Sequence, residues 1–217
     1  MGKTTKGICT SCEKEVGKSA IGKHLQTCPK RVLQDGNNRY FLIRVQDRYL
    51  PKYWLYLEAS ADATLTDLDH FLRDLWLECC GHLSLFIVRD RTYGSSPDEE
   101  FGDKSMQIRL GKVLKKDLSF LHEYDMGSTT ELSLKVVEER LGTKPDSPGI
   151  ELLARNVAPD ISCTECGDAE AEYICSECQY EESGWLCDTC AENHKCGEDM
   201  LLPVVNSPRT GVCGFMG

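Results

Sequence analysis

Between residues 39 and 58 two apolar, aromatic and β-branched runs, RYFLIRV and YWLYLEA, flank a polar turn that carries Pro51. This arrangement predicts a β-hairpin. The period then changes: over 64–80, TLTDLDHFLRDLWLECC, the residues Leu65, Leu68, Leu72, Leu75 and Trp76 recur on one helix face behind Thr64 or Thr66 as a cap. LSLFIV at 83–88 reads as a further strand, and the Gly-, Ser-, Pro- and acid-rich stretch 93–105 as a mobile loop. After Lys116, LSFLHEYDMGSTTELSLKVVEE alternates apolar and polar positions around Asp125, Met126 and Gly127, which predicts a second hairpin with its turn residues at the centre. An apolar helix stripe of that length must be covered, so the fold class is α+β, an antiparallel sheet with covering helices.

The two ends follow neither period, and there composition changes the picture. Of the thirteen cysteines in 217 residues, eleven fall within 1–30 or 160–217, and eight of these form four C-x2-C pairs. Charge divides the chain likewise: 1–35 holds seven basic residues against three acids, whereas 159–217 holds two against twelve and supplies the net charge of -10. Three segments result: a finger over 1–32, an α+β domain over 38–157, and a Cys-rich module over 160–217. No run approaches the roughly 20 apolar residues of a membrane span, and the first residues carry no apolar leader core. The expected location is cytoplasmic, where thiols stay reduced and available to metal ions.

Cys9, Cys12, His24 and Cys28 read C-x2-C-x11-H-x3-C, four soft ligands at the spacing of a tetrahedral structural zinc site. Val16 and Ile21 stand where a small finger needs its apolar core, and Ser19 is placed to cap a helix that puts His24 and Cys28 on one face. The segment resembles the two-Cys, two-His zinc-finger family, with Cys28 in place of the last His and an interval one residue short. A basic finger helix is a common nucleic-acid reader, so Lys18, Lys23, Lys30 and Arg31 are candidates to meet phosphate, against a solvated face on a structural finger.

Cys163, Cys166, Cys175, Cys178, Cys187, Cys190, His194 and Cys196 supply eight ligands at C-x2-C-x8-C-x2-C-x8-C-x2-C-x3-H-x1-C, enough for two closed tetrahedral shells. Each is structural in type, because neither keeps an open position. The spacing is similar to B-box and related cross-brace modules, which implies that Cys163, Cys166, Cys187 and Cys190 share one ion and that Cys175 and Cys178 join His194 and Cys196. Sequential pairing is the competing connectivity. The one-residue gap between His194 and Cys196 is tight for one ion, which leaves Cys213 as a reserve ligand. With the finger, about three zinc ions are expected per chain. Cys79 and Cys80, adjacent at the end of the apolar helix, read as small buried hydrophobes outside the metal count.

Over roughly 38–157 the order of strand, TLTDLDHFL helix, GHLSLF strand and LHEYDMGS hairpin resembles the plasmid pRiA4b ORF-three-like family. The resemblance implies an α+β fold, often with added Cys-rich modules, and no settled reaction. Tyr124, Asp125 and Gly127 match its turn pattern, whereas Met126, Ser128, Thr130 and Leu132 depart where the family carries an aromatic, an acid, a Trp and a His.

Three function classes follow. A non-enzymatic interaction or adaptor protein, with protein partners on the acidic module, needs nothing the sequence lacks. A nucleic-acid-binding regulator needs a basic strip joining the finger to Arg39, Arg44 and Arg48. An enzyme would draw on His70, His82, His122, Glu123 and Asp125, a His beside carboxylates being the usual proton-transfer set; each also has a plain structural role as a surface, helix-end or turn residue. No membrane partner is expected.

Overall fold

The computed structural model describes residues 5–31, 34–143, 149–181 and 183–217. The chain divides into two compact units, one holding residues 5–74 and 82–157, the other Leu75–Gly81 and Ala158–Gly217.

In the first unit ten strands among the described residues build one sheet. These are β1 (Lys6–Cys9), β2 (Glu15–Gly17), β3 (Gln34–Asp47), β4 (Trp54–Ser60), β5 (Ser84–Val88), β6 (Arg91–Gly94), β7 (Lys104–Ser105), β8 (Ser119–Tyr124), β9 (Thr130–Thr143) and β10 (Ile150–Asn156). Their order is β2-β1-β10-β4-β3-β9-β8-β5-β6-β7. Both predicted hairpins form: β3 pairs β4 antiparallel with Val45 opposite Leu55, and β8 pairs β9 with His122 opposite Leu132. The second turns where Asp125 adopts a left-handed φ of 67° and its Oδ1 accepts from the backbone N–H of Gly127 (2.9 Å) and Ser128 (3.2 Å). That is the local side-chain acceptance for which Asp suits turns. The stretch 93–105, expected as a loop, contains the end of β6 and all of β7, joined in parallel through Tyr93–Lys104 and Gly94–Ser105.

Helix α1 (Lys18–Thr27) belongs to the finger, and α2 (Leu65–Leu72) starts at Thr64. The Thr64 hydroxyl accepts from the Asp67 N–H while the Asp67 carboxylate accepts from the Thr64 N–H, a closed capping box. Leu65, Leu68 and Leu72 are fully buried, as the periodicity predicts. The expected helix over 64–80 stops being α-helical at Leu72, and Arg73–Leu77 forms a π-helical turn. A π-turn re-aims the side chains after it, and Trp76 and Leu77 are both wholly buried.

The finger is one piece with the sheet. Strand β1 pairs β10 in register from Gly7–Asn156 to Cys9–Ala154, and Ile21 and Leu25 of α1 share a core with Leu42, Trp54, Tyr56 and Leu153. Gly7 permits the approach, because a Cβ there would lie 2.3 Å from the Trp54 ring. The helix is capped by Gly17 and ends at Cys28, rather than being capped by Ser19, which is exposed within it. Arg31 leaves the surface entirely: its Nη2 lies 2.6 Å from Glu58 Oε1, both side chains are 1% exposed, and its Nη1 donates to the Leu25 carbonyl at 2.8 Å.

The second unit is built on a three-stranded sheet of β11 (Tyr173–Cys175), β12 (Trp185–Leu186) and β13 (Leu201–Pro203), in the order β12-β11-β13, with the short helix α3 (Asp188–Ala191). The C-terminal tail folds back within this unit, where Ser207, Arg209 and Thr210 are buried. It closes on Trp76, whose Nε1–H donates to the Asn206 carbonyl at 3.1 Å and whose own carbonyl accepts from Ser207 Oγ at 2.7 Å.

Candidate metal centres

The first centre forms where a strand end and a helix end meet. Cys9 closes β1, Cys12 sits in the following turn, where the Glu13 N–H donates to the Cys9 carbonyl at 2.7 Å, His24 lies in the last turn of α1, and Cys28 is its C-cap. Their donor atoms all lie within 4.8 Å of one another. Cys9 Sγ is 4.0 Å from Cys28 Sγ, and Cys12 Sγ is 3.4 Å from His24 Nε2. Burial pushes the Cys28 thiol up, but the backbone amides of Lys30 and Arg31 and the thiols of Cys12 and Cys9 more than offset it, leaving that thiol below its ordinary range. Cys9 is held above its ordinary range, chiefly by burial.

In the second unit the eight candidate ligands sort as a cross-brace. One set is Cys163, Cys166, Cys187 and Cys190, the other Cys175, Cys178, His194 and Cys196, each again within 4.8 Å. In the first set Cys166 Sγ and Cys187 Sγ are 3.9 Å apart. In the second, Cys178 Sγ is 3.7 Å from Cys196 Sγ and 3.5 Å from His194 Nε2. The tight His194–Cys196 gap is accommodated by a turn, the Gly197 N–H donating to the His194 carbonyl at 3.1 Å with Gly197 at φ 80°. Gly184, at φ 88°, is required nearby, since a Cβ there would stand 2.9 Å from that of Cys178.

Each set pairs an acidic thiol with a resistant one. Against the effect of burial, backbone amides of Cys166, Cys187 and Glu165 bring Cys163 down to about 6, while hydrogen bonding to the neighbouring Cys187 and Cys163 thiols pushes Cys190 up to about 12. In the other set Cys175 falls to about 7, the amides of Cys178 and Glu177 overcoming burial, and Cys178 rises to about 11 through burial and its thiol neighbours Cys196 and Cys175. Three or four thiols this close cannot all ionise without a cation among them. His194 also has a carboxylate behind it: Nδ1 lies 3.0 Å from Glu165 Oε1, which leaves Nε2 facing the thiols. A ligand imidazole is commonly held this way.

Two cysteines read as buried hydrophobes lie elsewhere. Cys80 is exposed and Cys79 half-buried, and the reserve ligand Cys213 belongs with them rather than with the cross-brace. Among the described residues the structure thus contains four Cys/His clusters able to hold metal ions. Sequence reasoning missed the fourth because it set the adjacent Cys79 and Cys80 aside as buried hydrophobes, and Cys213 is 133 residues from Cys80 along the chain.

The other candidate groups do not gather into one site: His122, Glu123 and His70 point apart, and only His82 and Asp125 meet. His122 is fully buried on β8, its Nε2 2.7 Å from Asp69 Oδ1 and its ring 4.6 Å from that of Phe86. Glu123 alternates to the opposite face of the sheet. His82 lies 3.5 Å from Asp125 Oδ2 and against the Tyr124 ring, and His70 is exposed. The Arg39, Arg44 and Arg48 strip is partly neutralised: Arg39 pairs with Glu139 at 3.1 Å and Arg48 with Glu131 at 2.6 Å. Among the described residues no helix is long and apolar enough to cross a membrane.

No family model matches the chain, and no curated protein matches it. Among solved structures it is similar to a protein of unknown function from Methanosarcina mazei Go1, at 14% identity and a TM-score of 0.47, over 55% of this chain and 70% of that one.

Proposed function

We propose that this protein is a zinc-binding, non-enzymatic adaptor that holds three structural zinc ions in the finger and the cross-brace and recruits basic protein segments through its acidic C-terminal unit. One observation carries the metal reading. Zn–S bonds of about 2.3 Å and Zn–N bonds of about 2.0 Å set tetrahedral edges near 3.8 Å between two sulfurs and near 3.5 Å between sulfur and nitrogen. The donor separations of 3.7–4.0 Å and 3.4–3.5 Å follow those edges in all three centres. Four ligands close each shell, which suits folding rather than catalysis. Thiolate ligation also fits the reducing, cytoplasmic setting proposed for the chain.

Adaptor function rests on the second unit's surface. A groove of about 270 Å³ has Tyr173, Ala191 and Leu201 on its walls and Asp188, Glu192 and Glu198 around them, in a segment where acids outnumber basic residues twelve to two. Such a surface repels nucleic-acid phosphate and favours Lys- or Arg-bearing peptides. Burial of Arg31 against Glu58 weakens the competing nucleic-acid reading of the finger. We also place the central domain with the pRiA4b ORF-three-like family, on the Tyr124, Asp125 and Gly127 turn and its preceding elements.

The test is metal content by mass spectrometry on protein purified without added zinc, followed by titration with a Lys/Arg-rich peptide. Three retained zinc ions and salt-sensitive binding, weakened at least tenfold in an Asp188→Asn/Glu192→Gln/Glu198→Gln variant, are expected. One retained ion or none breaks the zinc reading, and equal peptide binding by the variant breaks the adaptor reading.

A further inference from the structure

Three thiols in the second unit have no part in the finger centre or the cross-brace. Cys79 Sγ is 3.8 Å from Cys80 Sγ, and Cys80 Sγ is 3.8 Å from Cys213 Sγ. Both distances equal the sulfur–sulfur edge of a zinc tetrahedron, about 3.8 Å, and are nearly twice the roughly 2.05 Å of a disulfide bond. Adjacency along the chain therefore does not keep Cys79 and Cys80 from offering both sulfurs to one ion. We propose that Cys79, Cys80 and Cys213 form a fourth, exchangeable site for a thiophilic divalent cation such as zinc.

Two further features support a built site. Cys213 takes a left-handed φ of 51° between Gly211 at 80° and Gly214 at 67°, a conformation unfavourable for a residue with a Cβ, and in it the thiol is brought to Cys80. The wholly buried Arg209 places Nη2 3.6 Å from Cys79 Sγ. Three thiolates and a divalent cation sum to one negative charge, which that guanidinium balances. On binding, each thiol releases its proton to solvent as its sulfur bonds the metal, so no oxidant or reductant is involved.

Exposure separates this site from the others. Cys80 and Cys213 are exposed and Cys79 is half-buried, whereas each closed shell contains at least two buried cysteines. A shell with three thiolates from this unit keeps a position for solvent, and such an ion exchanges readily. The site goes beyond the structural zinc reading and does not depend on it.

The experiment uses the full reduced chain with zinc as the probe. Metal per chain is counted at saturating zinc for the wild type, for Cys213→Ser and for Cys80→Ser/Cys213→Ser, and iodoacetamide alkylation of Cys80 and Cys213 is timed in the wild type with and without zinc. The expected result is one ion fewer in both variants, with the tightly held ions unchanged, and alkylation at least tenfold slower when zinc is present. Equal metal counts in all three chains, or alkylation rates that zinc does not change, would overturn the proposal. The tightly held ions, counted in the same spectra, report separately on the three closed shells.

Discussion

Glu165 illustrates how much a single side chain outside the ligand set can control. It lies on the first C-x2-C turn of the cross-brace yet orients His194, a member of the other cluster, from 3.0 Å. Removing such a partner typically lowers metal affinity by about 10- to 100-fold. Glu165→Ala is therefore expected to weaken zinc at the Cys175, Cys178, His194, Cys196 centre by that factor in a chelator competition, leaving the Cys163 centre unchanged. Arg31 makes the complementary case in the first unit. Breaking a buried ion pair strands the remaining charge and costs about 3–5 kcal/mol. Arg31→Met leaves Glu58 with Arg140, which also lies 2.6 Å away, so the expected loss sits near the lower bound, about 3 kcal/mol by urea unfolding. The sequence presented Arg31 as a surface cation because charge type is visible along a chain and burial is not.

At the scale of elements, α2 joins the sheet through a polar contact inside an apolar face. Burial pushes the Asp69 carboxyl up, but the hydrogen bond and charge of His122, then Ser84 and Arg73, outweigh it and hold the group below its ordinary value. A carboxyl depressed in the folded state contributes stability that is complete above its unfolded pKa, near 3.9, and is lost as pH falls through the lower folded value. Urea midpoints should therefore decline as pH drops below about 4, and Asp69→Asn should flatten that decline while costing about 1–3 kcal/mol at neutral pH. The helix itself was legible: a cap at Thr64 or Thr66 and the leucine stripe mark its start and buried face, and the structure settles the cap on Thr64. Its change to a π-turn after Leu72 was not, since the stripe Leu75 and Trp76 continues at α-helical spacing.

For the whole molecule the two units differ in what holds them. The second is built on a three-stranded sheet and two four-residue Cys/His clusters, and with the proposed ions bound a module of this size would draw most of its folding free energy from metal, on the order of 10 kcal/mol per site. The first has a large apolar core of its own, including Trp54, Phe41, Leu42, Ile43, Leu55 and Phe86, all wholly buried. Chelation at neutral pH should abolish amide protection over β11–β13 and loosen β1 and α1, while β3, β4 and β9 keep theirs. Hydrogen exchange with and without chelator checks this; equal loss across both units would mean that the sheet also depends on metal.

The sequence by itself determined the local choices: the hairpins, a threonine cap for α2 at Thr64 or Thr66, the twelve Cys and His positions that gather into three clusters and the acidity of the C-terminal segment. Each is written in residue type and spacing over a few tens of positions, where backbone period and chelate geometry act. Tertiary structure decided what depends on residues far apart. It joined the finger to the sheet through β1 and β10, chose the cross-brace over sequential pairing, and buried Arg31 on Glu58 and His122 on Asp69. It also gathered Cys79 and Cys80 with Cys213. No local period encodes those meetings; they arise when separate apolar faces pack together and carry their polar and sulfur-bearing neighbours with them.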